Sequence, residues 1–379
     1  MKITILKSYL NESIQHVAKA ISNRTTIPIL TGVKINAHSS GVTLTGSDTD
    51  ISIQSFIPLE DNGLEVINIE RAGSVVLPSK FFIEIIKKLP SETIEIEVKD
   101  HFQTSIRSGN SDIQMVGLDP EEYPLLPNID QTVSISILSD ILKTMIRQTT
   151  FAVSTSEATS VLTGVLWSMR EDSLKLIACD RHRLATRETK MQLDSITQNQ
   201  VIISGRTLNE LSKILPDQNI LISIIASENQ VLFKLGRVLF YSRILDGTYP
   251  DTSRLIPQTF QTELVVNTRE LTNAMDRANL LSREEKTNIV KLTVKEDQTV
   301  EISSSSSELG KVTEIIASKS LSGELLRISF NSKFMLDALK VIDSEDVHLG
   351  FTGPMSPIII RPEDGPSLLQ LILPYRTTN

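Results

Sequence analysis

Ile3 and Ile5 alternate with polar residues at the start of the chain, and the same period-2 pattern returns at Ile94, Ile96 and Val98 and at Val133, Ile135 and Ile137. Side chains of a strand point to opposite faces in turn, so each stretch predicts a strand with one buried face. Other segments have helical spacing instead. Three longer ones cover residues 7–19, 138–151 and 268–283, and three shorter ones cover 80–88, 206–215 and 333–340. Strand, long helix, several strands, short helix and more strands follow one another in this order. That order predicts an α+β unit with two helices against a mostly antiparallel sheet.

The unit is repeated. Val76 to Val98 lies without a gap over Ile202 to Ile224 at an offset of 126, with Glu84, Lys87 and Pro90 matching Glu210, Lys213 and Pro216. A third copy at 127 more places Lys333, Asp337 and Lys340 on Arg206, Glu210 and Lys213. A shorter motif recurs as well. Leu30-Thr31-Gly32 precedes Asp48, Leu162-Thr163-Gly164 precedes Asp180, and Gly and Asp are sixteen apart in both. Self-similarity at fixed spacing is the mark of a repeated structural unit. Proline clusters at 119–130 and 246–258 close the first two copies, each with Tyr-Pro followed by Leu-Pro or Ile-Pro, as stiff connectors do. The expectation is three domains of one kind, at residues 1–127, 128–257 and 258–379.

The chain has 379 residues, 22% charged and 40% hydrophobic, which fits a folded globular protein of two or three domains. No apolar run reaches the roughly 18 residues a spanning helix needs, so no membrane partner is expected. The start MKITILKSYL reads as a strand, not as a secretory leader, and a single cysteine makes no internal disulfide; both point to the cytoplasm. A net charge of −8 argues against a general nucleic-acid binder. The distribution changes that reading. The six helical segments together carry +7, leaving −15 for everything else. Helices on one side and sheets on the other would give an acidic body with one mildly basic surface, attractive to a phosphate backbone without reading sequence. A helix-turn-helix, zinc-finger spacing and an aromatic single-strand platform are all missing from the sequence.

Cys179, Asp180 and His182 raise the question of nucleophilic chemistry. On one strand, positions i and i+3 face opposite ways, so thiol and imidazole would not meet without a turn, and no separate His or Asn motif completes the set. Asp48 and Asp50 lack the Gly and Glu of a calcium loop, so Asp48 and Asp180 are expected to bond a turn in both copies. The serine run 303–307 reads as a strand end entering a loop, and Trp167 as core or sheet cover.

Arg24-Thr25-Thr26-Ile27-Pro28-Ile29-Leu30, LTGSDTDISI from Leu44, CDRHRLA from Cys179, DGTYPDTSRLIP from Asp246 and LPYR from Leu373 appear in that order. With these motifs the chain resembles the bacterial sliding-clamp family, the beta subunits of DNA polymerase III, over essentially its whole length. The resemblance implies a non-enzymatic homodimer in which six domains close a ring around double-stranded DNA, twelve helices lining the hole and sheets outside. It implies no cofactor and no metal. The implied partners are the DNA polymerase III catalytic subunit, the clamp loader and other proteins carrying a clamp-binding motif. Carried over residue by residue, their peptide pocket comprises Leu162, Cys179, Arg181, His182, Arg183, Leu184, Pro250, Arg254, Leu255, Asn331, Phe334, Met355, Leu371, Ile372, Leu373, Pro374, Tyr375 and Arg376. Arg181 stands where the family usually has a small residue, and Cys179 where threonine is common. The candidate DNA-facing residues are Arg24, Lys80, Arg147, Arg206, Lys213 and Lys333. The implied dimer contact sets Ile113 on an edge strand against Leu280 and Leu281 of a second copy. Two other readings stay open: a cysteine-dependent hydrolase using Cys179 and His182, and a repeat scaffold that binds proteins but not DNA.

Overall fold

The computed structural model describes every residue except 23, 24, 127, 128, 130–133, 171, 192–198, 285, 286, 364, 366 and 377–379. Six α-helices form among the described residues: α1 Lys7–Val17, α2 Ser79–Lys88, α3 Ser139–Thr149, α4 Gly205–Ser212, α5 Thr268–Glu284 and α6 Ser332–Leu339. Their starts reproduce the sequence offsets, since α2, α4 and α6 begin at 79, 205 and 332. Strands Lys2–Leu6, Ser134–Leu138 and Thr262–Asn267 lead into α1, α3 and α5. Ile3 and Ile5 are buried, as are Ile135 and Ile137; Val133 lies outside the described residues. α2 stops before Leu89, which turns extended (φ −61°, ψ 141°) because the ring of Pro90 disfavours a helical residue ahead of it.

The chain divides into two compact units. The first holds Met1–Ile141 and Glu210–Ile244. Its eight-stranded antiparallel sheet runs Ser134–Leu138, Leu221–Ala226, Gln230–Leu235, Val238–Arg243, Ile51–Pro58, Gly41–Ser47, Gly32–His38, Gly73–Pro78. A five-stranded sheet beside it runs Ser111–Val116, Gln103–Ser108, Thr93–Val98, Lys2–Leu6, Ile67–Arg71. The second unit holds Leu142–Asn209 and Leu245–Asn379. Its nine-stranded sheet runs Asn199–Ser204, Gly164–Arg170, Ser173–Cys179, Arg183–Lys190, Leu368–Ile372, Ile358–Pro362, Asp346–Phe351, Thr262–Asn267, Ser320–Gly323. Its four-stranded sheet runs Gly310–Ala317, Thr299–Ser306, Ile289–Val294, Arg327–Asn331. The large sheets therefore each join strands from two neighbouring copies of the repeat.

The recurring Leu-Thr-Gly motif has a structural reason. Leu30 and Leu162 are buried, and the Thr31 and Thr163 hydroxyls donate to the carbonyls of Pro28 (2.8 Å) and Ser160 (2.6 Å), closing a short 3₁₀ turn. A Cβ on Gly32 would sit 2.4 Å from Val76 Cγ1, and one on Gly164 would sit 2.5 Å from Ile202 Cγ2, so the next strand leaves room only for glycine. Val76 and Ile202 are themselves equivalent at offset 126. Trp167 is core, and the serine run ends the strand Thr299–Ser306, where the Ser304 hydroxyl bonds the Ala278 carbonyl of α5 at 2.7 Å.

Candidate functional site

The turn between strands Ser173–Cys179 and Arg183–Lys190 is built by Asp180. Its Oδ1 accepts the backbone N–H groups of His182 (2.9 Å) and Arg183 (3.0 Å), while the Asp180 amide bonds the Arg183 carbonyl. Asp48 does the same with Asp50 (3.1 Å) and Ile51 (2.9 Å), as the repeat predicts. Both turns place their second residue in the left-handed region, Thr49 at φ 84° and Arg181 at φ 77°. Glycine suits that conformation best, since a Cβ there costs about 1–2 kcal/mol. The turn that the sequence argument required between residues 179 and 182 is present: Cys179 ends one strand, His182 lies in the turn before the next, and Cys179 pairs with Leu184.

The turn aims Arg183 into the site. Its Nε bonds Asp180 at 3.0 Å and its Nη1 bonds Asp337 of α6 at 2.7 Å, with only 11% of the side chain exposed. The guanidinium lies 4.5 Å over the Phe334 ring and 5.5 Å over Phe151, and His182 stacks on Phe334 at 6.4 Å. Phe334 is held by its helix, whose first turn is capped by the Asn331 side chain. The carboxyl-terminal tail completes the group. Arg183 pairs with Ile372 and Leu184 with Leu371, the Leu373 amide bonds the His182 carbonyl at 2.9 Å, and Pro374 bridges to Phe330.

Beneath these residues an apolar cluster gathers Leu162, Cys179, Leu184, Leu371, Tyr249 and Ile359. Leu373 and Tyr375 of the tail are exposed apolar side chains, as are Leu255 and Met355 elsewhere in the unit. Pro250 follows the buried Tyr249, and Arg254 reaches its own loop's Asp251 at 3.8 Å. The contacts described here bring together Leu162, Cys179, His182, Arg183, Leu184, Asn331, Phe334 and the tail from Leu371 to Tyr375. Arg181, Pro250, Arg254, Leu255, Met355 and Arg376 are exposed, and none of those contacts reaches them among the described residues. Tyr249, Phe151 and Asp337 were missed as site residues. Tyr249 had a signal, since it matches Tyr123 at offset 126 in the repeated Tyr-Pro motif.

Cys179 is poorly placed for nucleophilic work. It is buried, burial pushes its thiol above the ordinary range, and its backbone N–H donates to the Tyr249 hydroxyl at 2.9 Å. A nucleophilic thiol needs the opposite shift. No group of three or more His, Cys, Asp or Glu side chains is arranged to hold a metal among the described residues, and none of their helices is long and apolar enough to cross a membrane.

On the helices, Lys80, Arg206 and Lys333 occupy the second position of α2, α4 and α6, and all three are exposed. A cation at a helix N-terminus opposes the macrodipole, so three equivalent ones are not there for helix stability. Lys80 lies over the Phe81 ring. Glu84 and Glu210 draw Lys87 (3.4 Å) and Lys213 (2.7 Å) onto themselves, whereas the equivalent Asp337 turns to Arg183. Arg147 of α3 pairs with Asp343 at 2.5 Å. Arg24 lies outside the described residues. Ile113 sits on the edge strand Ser111–Val116, half-buried, and Leu280 on α5 is 58% exposed with Leu281 half-buried beside it.

The models of the DNA polymerase III beta subunit match as three consecutive domains, N-terminal over residues 1–127, central over 136–251 and C-terminal over 253–376. The chain is 52% identical to the beta sliding clamp of Bacillus subtilis over 377 residues and 48% identical to that of Staphylococcus aureus over 378, covering all of each. The crystal structure of the Bacillus subtilis DNA polymerase sliding clamp superposes with a TM-score of 0.97 over the full length of both chains. That of the Streptococcus pneumoniae DNA polymerase III beta chain, 35% identical, superposes at 0.95 over 99% of this chain and all of its own. Matched from end to end in sequence and in fold, the chain belongs to the DNA polymerase III beta subunit family, the beta sliding clamps.

Proposed function

We infer that two copies of this chain join head to tail into a ring around duplex DNA and there tether the replicative polymerase and other partner proteins, with no chemistry of their own. A repeated joint carries this reading. In the eight-stranded sheet, strand Ile51–Pro58 of the first repeat pairs with Val238–Arg243 of the second, setting Ile53 opposite Phe240. In the nine-stranded sheet, Arg183–Lys190 pairs with Leu368–Ile372 of the third repeat, setting Ala185 opposite Gln370. The register is the same in both. Ile53 and Ala185 are equivalent through their hairpin partners Gly46 and Ala178, and Phe240 and Gln370 through Phe233 and Ile360. One counterpart of each joint partner remains as an open edge: Gly310–Ala317, which matches Ile51–Pro58 and Arg183–Lys190, and Ser111–Val116, which matches Val238–Arg243 and Leu368–Ile372. On them the equivalent residues are Val312, opposite Ser304, and Ile113, opposite Ile106. All four residues at the closed joints are buried, whereas Val312 and Ile113 are half-buried. An open edge is a template for pairing, so the same joint formed between copies sets Val312 against Ile113 of the second chain.

On this reading the three domains are 1–127, 128–257 and 258–379. The helix cations Lys80, Arg206 and Lys333 face the DNA, and weak contact suffices because the ring holds by topology. The group around Arg183, Phe334 and the tail binds short apolar partner motifs, which raises the partners' effective concentration on DNA. The test is disulfide trapping of the variant carrying Ile113→Cys and Val312→Cys, since directly opposed residues have Cβ atoms about 4.5–5.5 Å apart. Oxidation is expected to give a covalent dimer with a ring-shaped particle by electron microscopy. A monomeric mass with no cross-link would overturn it.

A further inference from the structure

The four-stranded sheet has one face against α5 and another that the peptide reading leaves unused. Val290, Leu292, Val300, Ile302, Ile328 and Phe330 fill the covered face. By alternation the other face carries Lys291, Thr293, Glu301, Ser303, Arg327 and Ser329. These line a cavity of about 600 Å³ together with Lys311, Ser305 and Thr287. The ladder registers fix its layout. Lys291 lies between Ser303 and Ser329, Thr293 between Glu301 and Arg327, and Ser305 faces Lys311.

The charge is lopsided. Glu301 is the one carboxylate in the lining among the described residues, and Lys295 already holds it at 2.7 Å. Lys291, Lys311 and Arg327 form no ion pair among the described residues. Lys295, and behind it Lys311 and Arg327, hold the Glu301 carboxyl below its usual range, which marks the positive field of the cavity. Three cations amid hydroxyl donors suit carboxylates.

The cavity is continuous with the proposed peptide site. The Tyr375 amide bonds the Ser329 carbonyl at 2.6 Å, and Pro374 bridges to Phe330. Antiparallel counting from that bridge sets Tyr375 beside Ser329 and Leu373 beside Asn331. One cross-strand step from Ser329 reaches Lys291.

We propose that this cavity binds an acidic segment flanking the apolar motif of the partner proteins, so that one docked chain occupies the apolar group at Leu373 and Tyr375 and the cationic cavity beyond Ser329. The inference rests on the peptide-docking reading. Duplex DNA is the less suitable occupant, because α5 covers the opposite face of this sheet and α6, which carries the proposed DNA-facing cation Lys333, packs on α5.

The experiment titrates fluorescent peptides with a Leu/Phe core into the full-length protein, bare or extended at either end by four Glu or four Gln residues. Exposed charge pairs are individually weak, so three predict roughly three- to a hundredfold tighter binding of a Glu peptide at low salt. That gain is expected to vanish in Lys291→Gln with Lys311→Gln and Arg327→Gln, with the bare peptide unchanged. Equal binding of Glu and Gln peptides, or a gain that survives the variant, overturns the proposal. Should no core peptide bind, the docking reading itself has failed, and a tetra-Glu peptide is followed by backbone resonances of Lys291, Ser303 and Ser329. Shifts there sustain the cavity as an acidic-segment site; no shifts, or shifts with duplex DNA alone, overturn it.

Discussion

Replacing Arg183 with methionine keeps the stem that packs over Phe334 and removes the charge that ties the turn to α6. The wild-type side chain makes two ionic hydrogen bonds, to Asp180 at 3.0 Å and Asp337 at 2.7 Å. Hydrogen bonds to charged groups contribute about 1.5–3 kcal/mol each, and removing one partner of a buried pair costs about 3–5 kcal/mol. The two carboxylates keep 13% and 25% exposure and regain some water, which favours the low end. Loss of the cation stacked on Phe334 adds about 0.5–1 kcal/mol. The sum is about 3–4 kcal/mol of local stability. Amide hydrogen exchange reads it directly, at the Arg183 amide bound to Asp180 and the Leu373 amide bound to the His182 carbonyl. With about 1.4 kcal/mol per tenfold change, both should exchange on the order of a hundred- to a thousandfold faster. Asp337→Ala completes a double-mutant cycle, and the double variant should fall short of the summed single effects by more than about 1 kcal/mol. Additive effects, or an Arg183→Met loss below about 1 kcal/mol, would refute the idea that this ion pair organises the site.

Other outcomes follow from the same contacts. Leu280→Asp with Leu281→Asp should give monomers by light scattering; a dimer of unchanged mass would count against the α5 contact. Deleting residues 373–379 should abolish binding of core peptides while leaving the mass of the dimer unchanged, as read by titration and sedimentation. Burial pushes the Tyr123 and Tyr249 hydroxyls well above their ordinary range. The folded state thus keeps protons that the unfolded chain releases, so stability is intact below about pH 10 and declines above it, by about 1.4 kcal/mol per pH unit for each tyrosine. Denaturant midpoints from pH 8 to 11 measure this, and Tyr249→Phe should flatten the slope. Lys80→Glu, Arg206→Glu and Lys333→Glu combined should weaken binding to a short open-ended duplex and reduce its salt sensitivity, with retention on circular DNA and the oligomeric state unchanged.

The helices were legible in the sequence to within a few residues. Their hydrophobic spacing is a local property, and three copies at offsets of 126 and 127 let one repeat check another. The Asp48 and Asp180 turns were legible for the same reason, because a side chain that bonds amides two and three residues ahead needs nothing distant. The Arg183 site was not readable from composition, periodicity or spacing. Family resemblance supplied its roster, but its partner Asp337 is 154 residues away, and no periodicity records which helix a side chain will reach. Nor did local pattern say that Ile51–Pro58 continues into Val238–Arg243, or that Ser111–Val116 and Gly310–Ala317 are left as open edges. Strand alternation determines which face is buried, not which neighbour a strand takes. Pairing between repeats depends on contacts that exist only once the chain has folded, so the repeat belongs to the sequence and its joints to the tertiary structure.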